Sequence, residues 1–207
     1  MNNMENEYME ESKTHADYPA GESDQREIEE SSNSNKNGFL KSLLKDLLVA
    51  AVLAILLMQF IKPTIVQQTS MEPTLHPHDY LLLNKQAYRF SEPERGDIVV
   101  FHTDLKTETG AEKLLIKRII GLPGETISIM NGGVYIDGKL VKEDYLPNDL
   151  LTAGEVTDCK IPKSSYFVMG DNRPVSNDSR QLGTIAKERF IGKAFVRLYP
   201  FNSIALL

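Results

Sequence analysis

Residues 39–61 read FLKSLLKDLLVAAVLAILLMQFI, and the chain on either side of them differs in kind. Leu47–Ile61 is apolar except for Gln59. A helix crossing a bilayer core of about 30 Å needs about 20 such residues. Leu43–Ile61 supplies nineteen, with Lys45 and Asp46 near one end, where a lysine can reach the interface. The stretch begins late, behind an acidic leader, and no small-x-small site follows Ile61, so it does not read as a cleaved export signal. A retained anchor over residues 39–62 is expected. Lys36, Lys41 and Lys45 precede it and Lys62 alone follows closely. That bias puts the N-terminus in the cytoplasm and the body outside.

Upstream, residues 1–38 are rich in Glu, Ser and Asn and poor in aliphatic side chains. They read as a disordered acidic tail, because such a segment cannot bury enough apolar surface to offset its ordering entropy. Residues 1–35 carry ten acids and two bases, so the net charge of -6 over 207 residues sits in the tail and the remainder is near neutral. No basic patch points to nucleic acid. The single cysteine, Cys159, forms no internal disulfide and reads as a small, buried or half-buried side chain.

Downstream of Pro63 the helical period gives way to short β-rich runs. Expected strands are Tyr80–Asn84, Ile98–His102, Leu114–Ile120, Thr126–Met130, Val134–Ile136, Lys139–Val141, Tyr166–Met169 and Ala194–Tyr199. Asp137-Gly138 between two such runs is a strong hairpin signal. Ile185–Phe190 reads as a helical turn, and residues 143–160 as a loop or part of a smaller lobe over about 126–165. Residues 63–207 thus form a mainly β domain behind one N-terminal helix.

Three stretches can carry chemistry. Ser70 lies in Gln67–Leu75, between an extended approach and Pro73, a junction that can hold a hydroxyl beside free backbone N–H groups. Lys117 lies in LLIKRII; in a strand it shares a face with Leu115 and Ile119. If that face is buried, desolvation lowers the lysine pKa and the neutral amine can accept a proton from serine. The same pattern also suits an edge-strand lysine with its head in water. Gly170–Arg180 is dense in turn formers and polar side chains: Ser176 can hydrogen-bond the lysine amine, and Asp178 can pair with Arg180. The chain shows no metal-ligand cluster and no phosphate-binding loop, so no cofactor is expected.

Four blocks, in order, resemble those of bacterial type I signal peptidases, in the short form like that of Gram-positive bacteria: Ser70–Leu75, Gly96–Phe101, Lys117–Glu125 and Gly170–Arg180. The resemblance spans about Leu47 to Pro200. It implies a signal-peptidase-like antiparallel β-sheet catalytic domain and a membrane-bound Ser/Lys endopeptidase that removes signal peptides from exported preproteins after small residues. It also implies Ser70 as nucleophile, Lys117 as general base, Ser176 orienting the lysine, and Asp178 and Arg180 bracing the site. The Ser70 N–H would donate to the oxyanion. Gln68 stands where relatives often carry Ser or Gly, so the second oxyanion donor is left open. Val66, Gln68, Met71, Leu115 and Ile116 are candidate substrate walls. The implied partners are signal peptides and membrane lipid. Self-cleaving repressors share such a dyad but need a DNA-binding helix pair, which is not visible here. Penicillin-binding-type enzymes need Ser-x-x-Lys, and Pro73 occupies that lysine's place. A non-catalytic, membrane-tethered peptide-binding β domain is the other class compatible with the pattern.

Overall fold

The structure, a computed structural model, describes residues 22–207, with side chains from Gly38 onward. Helix α1 runs Glu22–Phe60. Its segment Gly38–Phe60, 23 residues with a mean hydropathy of 2.1, is long and apolar enough to cross a bilayer, and none of it is buried against protein. Two boundaries differ from expectation. Residues 22–38 of the expected disordered tail carry helical backbone; several are strong helix formers (Glu, Gln, Arg, Lys), and extending an existing helix avoids the cost of nucleation. The rest of that tail lies outside the described residues. At the other end the helix stops at Phe60, and Ile61 and Lys62 open strand β1 (Ile61–Ile65) instead of closing the anchor.

The body is built from two antiparallel sheets. The larger contains β1, β2 (Tyr80–Asn84), β3 (Ile98–Lys106), β4 (Glu112–Gly121), β9 (Ser165–Met169), β10 (Ile185–Ala186), β11 (Phe190–Tyr199) and β12 (Ala205–Leu206). Its order is β1-β2-β11-β3-β4-β9-β10, with β12 on β11. The smaller has the order β7-β6-β5-β8, from β5 (Thr126–Met130), β6 (Gly133–Ile136), β7 (Lys139–Leu140) and β8 (Val156–Lys160). Its two hairpins turn on Asn131-Gly132 and Asp137-Gly138. All four residues have positive φ (52°, 76°, 48° and 76°), the condition for the tight turn that matches strand twist.

Strand β3 explains why its run Ile98–Phe101 is unbroken apolar sequence: it is buried on both faces. Ile98 and Val100 join one core with Val66, Met71, Leu75, Leu81 and Leu83. Val99 and Phe101 join another with Leu115, Ile119, Tyr166 and Val168. A third core, with Ile120, Ile127, Ile129, Ile136 and Phe167, ties the small sheet to β4 and β9. The helical turn expected over Ile185–Phe190 is divided: Ile185–Ala186 pairs with β9, Lys187–Arg189 makes one 3-10 turn, and Phe190 opens β11. Ile185 is drawn into the sheet because its side chain completes a core that no short helix would reach.

Candidate active site

Beyond β1 the chain runs extended through Gln68 (φ -128°, ψ 159°), makes one 3-10 turn at Thr69–Met71, and leaves extended at Glu72 (φ -64°, ψ 143°), as the following proline requires. The turn packs on β4 and buries Ser70, which is 7% exposed. Lys117 pairs with Val99 across β3 and β4 and is 1% exposed. Its neighbour Arg118 stands opposite Met169, the last residue of β9. Lys117 is therefore the first residue of β4 past the end of β9. The Lys117 Nζ donates to Ser70 Oγ at 2.6 Å and to the Ile116 carbonyl at 2.9 Å.

Burial is the largest influence on this amine and lowers its pKa from 10.5 to about 8. Asp178 and Asp171 oppose the shift; Lys113 and Arg180 reinforce it. In the neutral form one N–H can remain on the Ile116 carbonyl while the lone pair faces the serine hydroxyl. That is the arrangement a general base and nucleophile need.

The Gly170–Arg180 loop closes over this pair. Gly170 has no room for a side chain: a Cβ there would lie 2.2 Å from Ser176 Oγ and 2.3 Å from the Ser70 carbonyl oxygen. Asp178 accepts from the Gly170 N–H at 3.0 Å and from Arg180 Nε and Nη2, both at 2.8 Å. Burial works against ionising Asp178, but these donors outweigh it and its pKa is lowered. Asp178 also caps the short helix α2 (Ser179–Leu182) in a capping box with Gln181. The expected Asp178–Arg180 pair is thus present, two residues apart and bidentate. Ser176 is buried beside the pair, but its hydroxyl has no hydrogen-bond partner among the described residues, so the expected bond to Lys117 is not made.

Four of the five expected substrate-wall residues meet at one place. Val66, Gln68, Leu115 and Ile116 line a cleft of about 670 Å³ between residues 63–68 and 112–116. Met71 does not: it is fully buried in the core under the 3-10 turn, where apolar packing takes the side chain that the sequence allowed to face outward.

Sequence reasoning missed the wider polar frame. Arg118 makes a bidentate pair with the buried Asp171 (2.9 and 2.7 Å) and lies 4.0 Å over the Tyr145 ring. Arg173, its side chain fully buried, pairs with Glu143 through both terminal nitrogens (2.9 and 2.5 Å), bonds Thr152, and donates from Nε to the Gly170 carbonyl. Glu143 and Tyr145 belong to the stretch that read as weakly patterned. Their only available signal was an acid and an aromatic in an otherwise featureless loop.

The site thus brings together a buried serine–lysine pair, an adjacent cleft and a polar loop packed against both. The family described as "Signal peptidase, peptidase S26" matches residues 40–199. The chain is 38% identical over 184 residues to a probable signal peptidase I-2 of Synechocystis sp., covering 88% of this chain and 84% of that protein. It is 39% identical over 185 residues to a signal peptidase I of Bacillus licheniformis, covering 84% and 97%. A crystal structure of a signal peptidase I from Enterococcus faecalis V583 is 30% identical, with a TM-score of 0.40, over 50% of this chain and 97% of that one. The chain belongs to the signal peptidase, peptidase S26, family and is a serine endopeptidase.

Proposed function

We propose that this protein is a membrane-bound signal peptidase that cleaves exported preproteins through a Ser70–Lys117 dyad. The observation that carries the reading is the 2.6 Å contact between a buried hydroxyl and a buried amine with a lowered pKa. Neutral Lys117 takes the Ser70 proton as Oγ adds to the scissile carbonyl. The resulting ammonium returns that proton to the leaving amine, giving an acyl-enzyme and a free mature N-terminus. Lys117 then deprotonates a water that adds to the ester. Collapse expels Ser70 Oγ, which recovers its proton, and the cleaved signal peptide departs.

The cleft supports the substrate class. Residues 63–68 and 112–116 flank it with extended backbone, so a preprotein segment can lie between them as an added strand. Val66, Leu115 and Ile116 leave shallow apolar space there, which suits the small residues of an A-x-A cleavage site. Gly38–Phe60 serves as the anchor of the body, residues 63–207, with the N-terminus cytoplasmic and the body extracytoplasmic, as the lysine bias directs. Sharing one bilayer with its substrate raises the effective concentration of each for the other.

The test is mass spectrometry of an A-x-A preprotein incubated with the full chain in detergent or lipid vesicles. The wild type is expected to release one product cut after the second alanine, and Ser70→Ala none. Undiminished release by a folded Ser70→Ala protein would remove the dyad.

A further inference from the structure

Asn172 grips the nucleophile's turn at two points. Its backbone N–H donates to the Ser70 carbonyl at 3.1 Å, and its side-chain Nδ2 donates to the Thr69 carbonyl at 3.1 Å. The Thr69 oxygen also accepts from the Glu72 N–H at 3.1 Å, so both of its lone-pair directions are engaged. The Thr69–Ser70 peptide is trans, since the cis bonds among the described residues fall at Pro73 and Pro200. In a trans peptide the carbonyl and the N–H of one plane point in opposite directions. Whatever fixes the Thr69 carbonyl therefore fixes the Ser70 N–H, which points away from Asn172. That N–H opens a 3-10 turn and has no partner within it.

We infer that Asn172 is a positioning residue: its side-chain amide sets the rotation of the Thr69–Ser70 peptide plane and so aims the Ser70 N–H at the oxyanion. The inference rests on the hydrolytic reading proposed above. The reason to spend a side chain on this bond is geometric. An oxyanion donor stabilises the transition state only if it is already aimed when charge develops. Within the 3-10 turn only one hydrogen bond, from the Glu72 N–H, restrains the Thr69 carbonyl. The loop that closes the site from the other side supplies a second restraint on the same oxygen.

The experiment compares Asn172→Ala and Asn172→Asp with wild type in full-chain preprotein cleavage. A peptide aldehyde that forms the tetrahedral adduct on serine is titrated in parallel. Asn172→Ala keeps the backbone bond to Ser70 and loses only the side-chain donor. Asn172→Asp keeps the shape but turns an acceptor towards the Thr69 carbonyl. The expected result is a kcat about 10- to 100-fold lower for alanine and lower still for aspartate. KM and the pH midpoint should stay as in wild type, and aldehyde affinity should fall in step with kcat/KM. A wild-type kcat in the alanine variant would overturn the inference. So would a loss confined to KM, or an aspartate variant more active than alanine. Because aspartate is isosteric, it remains informative if alanine lowers the folded yield. A Ser70→Ala control that still cleaves would instead remove the hydrolytic reading.

Discussion

Lys117→Met is expected to lose preprotein cleavage by at least about 10⁴-fold while the folded protein becomes more stable. The first half follows from chemistry: methionine cannot accept the serine proton. The second follows from burial. An amine whose pKa falls from 10.5 to about 8 is costly to keep charged where it sits, by about 3 kcal/mol at neutral pH. Methionine fills similar volume without that cost, and the lost bonds to Ser70 and the Ile116 carbonyl take back about 1 kcal/mol each. The net gain of about 1 kcal/mol corresponds to a melting temperature roughly 3 °C higher. The sign of its pH dependence is fixed. Below about pH 8 the amine is protonated in both states and the folded protein bears the full penalty. Between about 8 and 10.5 the unfolded chain holds more protons than the folded one, so wild-type stability rises with pH across that window. The advantage of Lys117→Met should therefore shrink on titration from pH 8 to 10.5. Lys117→Arg should be equally inactive without the gain, since a guanidinium stays charged. Calorimetry and a cleavage assay on the same samples check both halves. An inactive Lys117→Met less stable than wild type at pH 7 would contradict the burial argument.

Glu143→Ala carries the largest expected loss of stability. It would strand the guanidinium of Arg173, whose side chain has no solvent exposure and whose pKa burial would lower, but which Glu143, with Tyr145 and Asp171, raises on balance. Breaking a buried pair on one side costs about 3–5 kcal/mol. For a body of this size that lowers the melting temperature by roughly 10 °C. Arg173 also donates to the Gly170 carbonyl, so the loop over the dyad should loosen with it. The double variant Glu143→Leu/Arg173→Met should recover most of the loss, because it leaves no unpaired charge. Thermal melts of the two variants decide this; a Glu143→Ala protein that melts with wild type would show that the pair contributes little.

The parts of this molecule legible in its sequence are those with local causes. Asn131-Gly132 and Asp137-Gly138 announce their hairpins because few residues tolerate positive φ. The IVVF run of β3 and the LLIKRII run of β4 mark strands through burial. Strand β1 was hidden because Ile61 continues the apolar run of the anchor and Pro63 argues against a strand; at a sheet edge proline is tolerated. Strand β8 is largely exposed and reads as polar loop; it exists because β5 offers it an edge. Ser70, Lys117, Asp178 and Arg180 were picked out by the resemblance of four blocks to a known family, and their side chains do converge. Arg118–Asp171, Arg173–Glu143 and the grip of Asn172 on Thr69 join residues 30 to 103 positions apart. No local pattern encodes such contacts; only the sheet order brings them together.

In the proposed mechanism Lys117 works as a neutral amine, and the pH dependence of kcat/KM for preprotein cleavage reads that state directly. The rate should climb about tenfold per pH unit in acid and bend to a plateau near pH 8, where the buried amine loses its proton. A profile that is flat from pH 6 to 10, or that bends only near the 10.5 of a solvated lysine, would contradict the account.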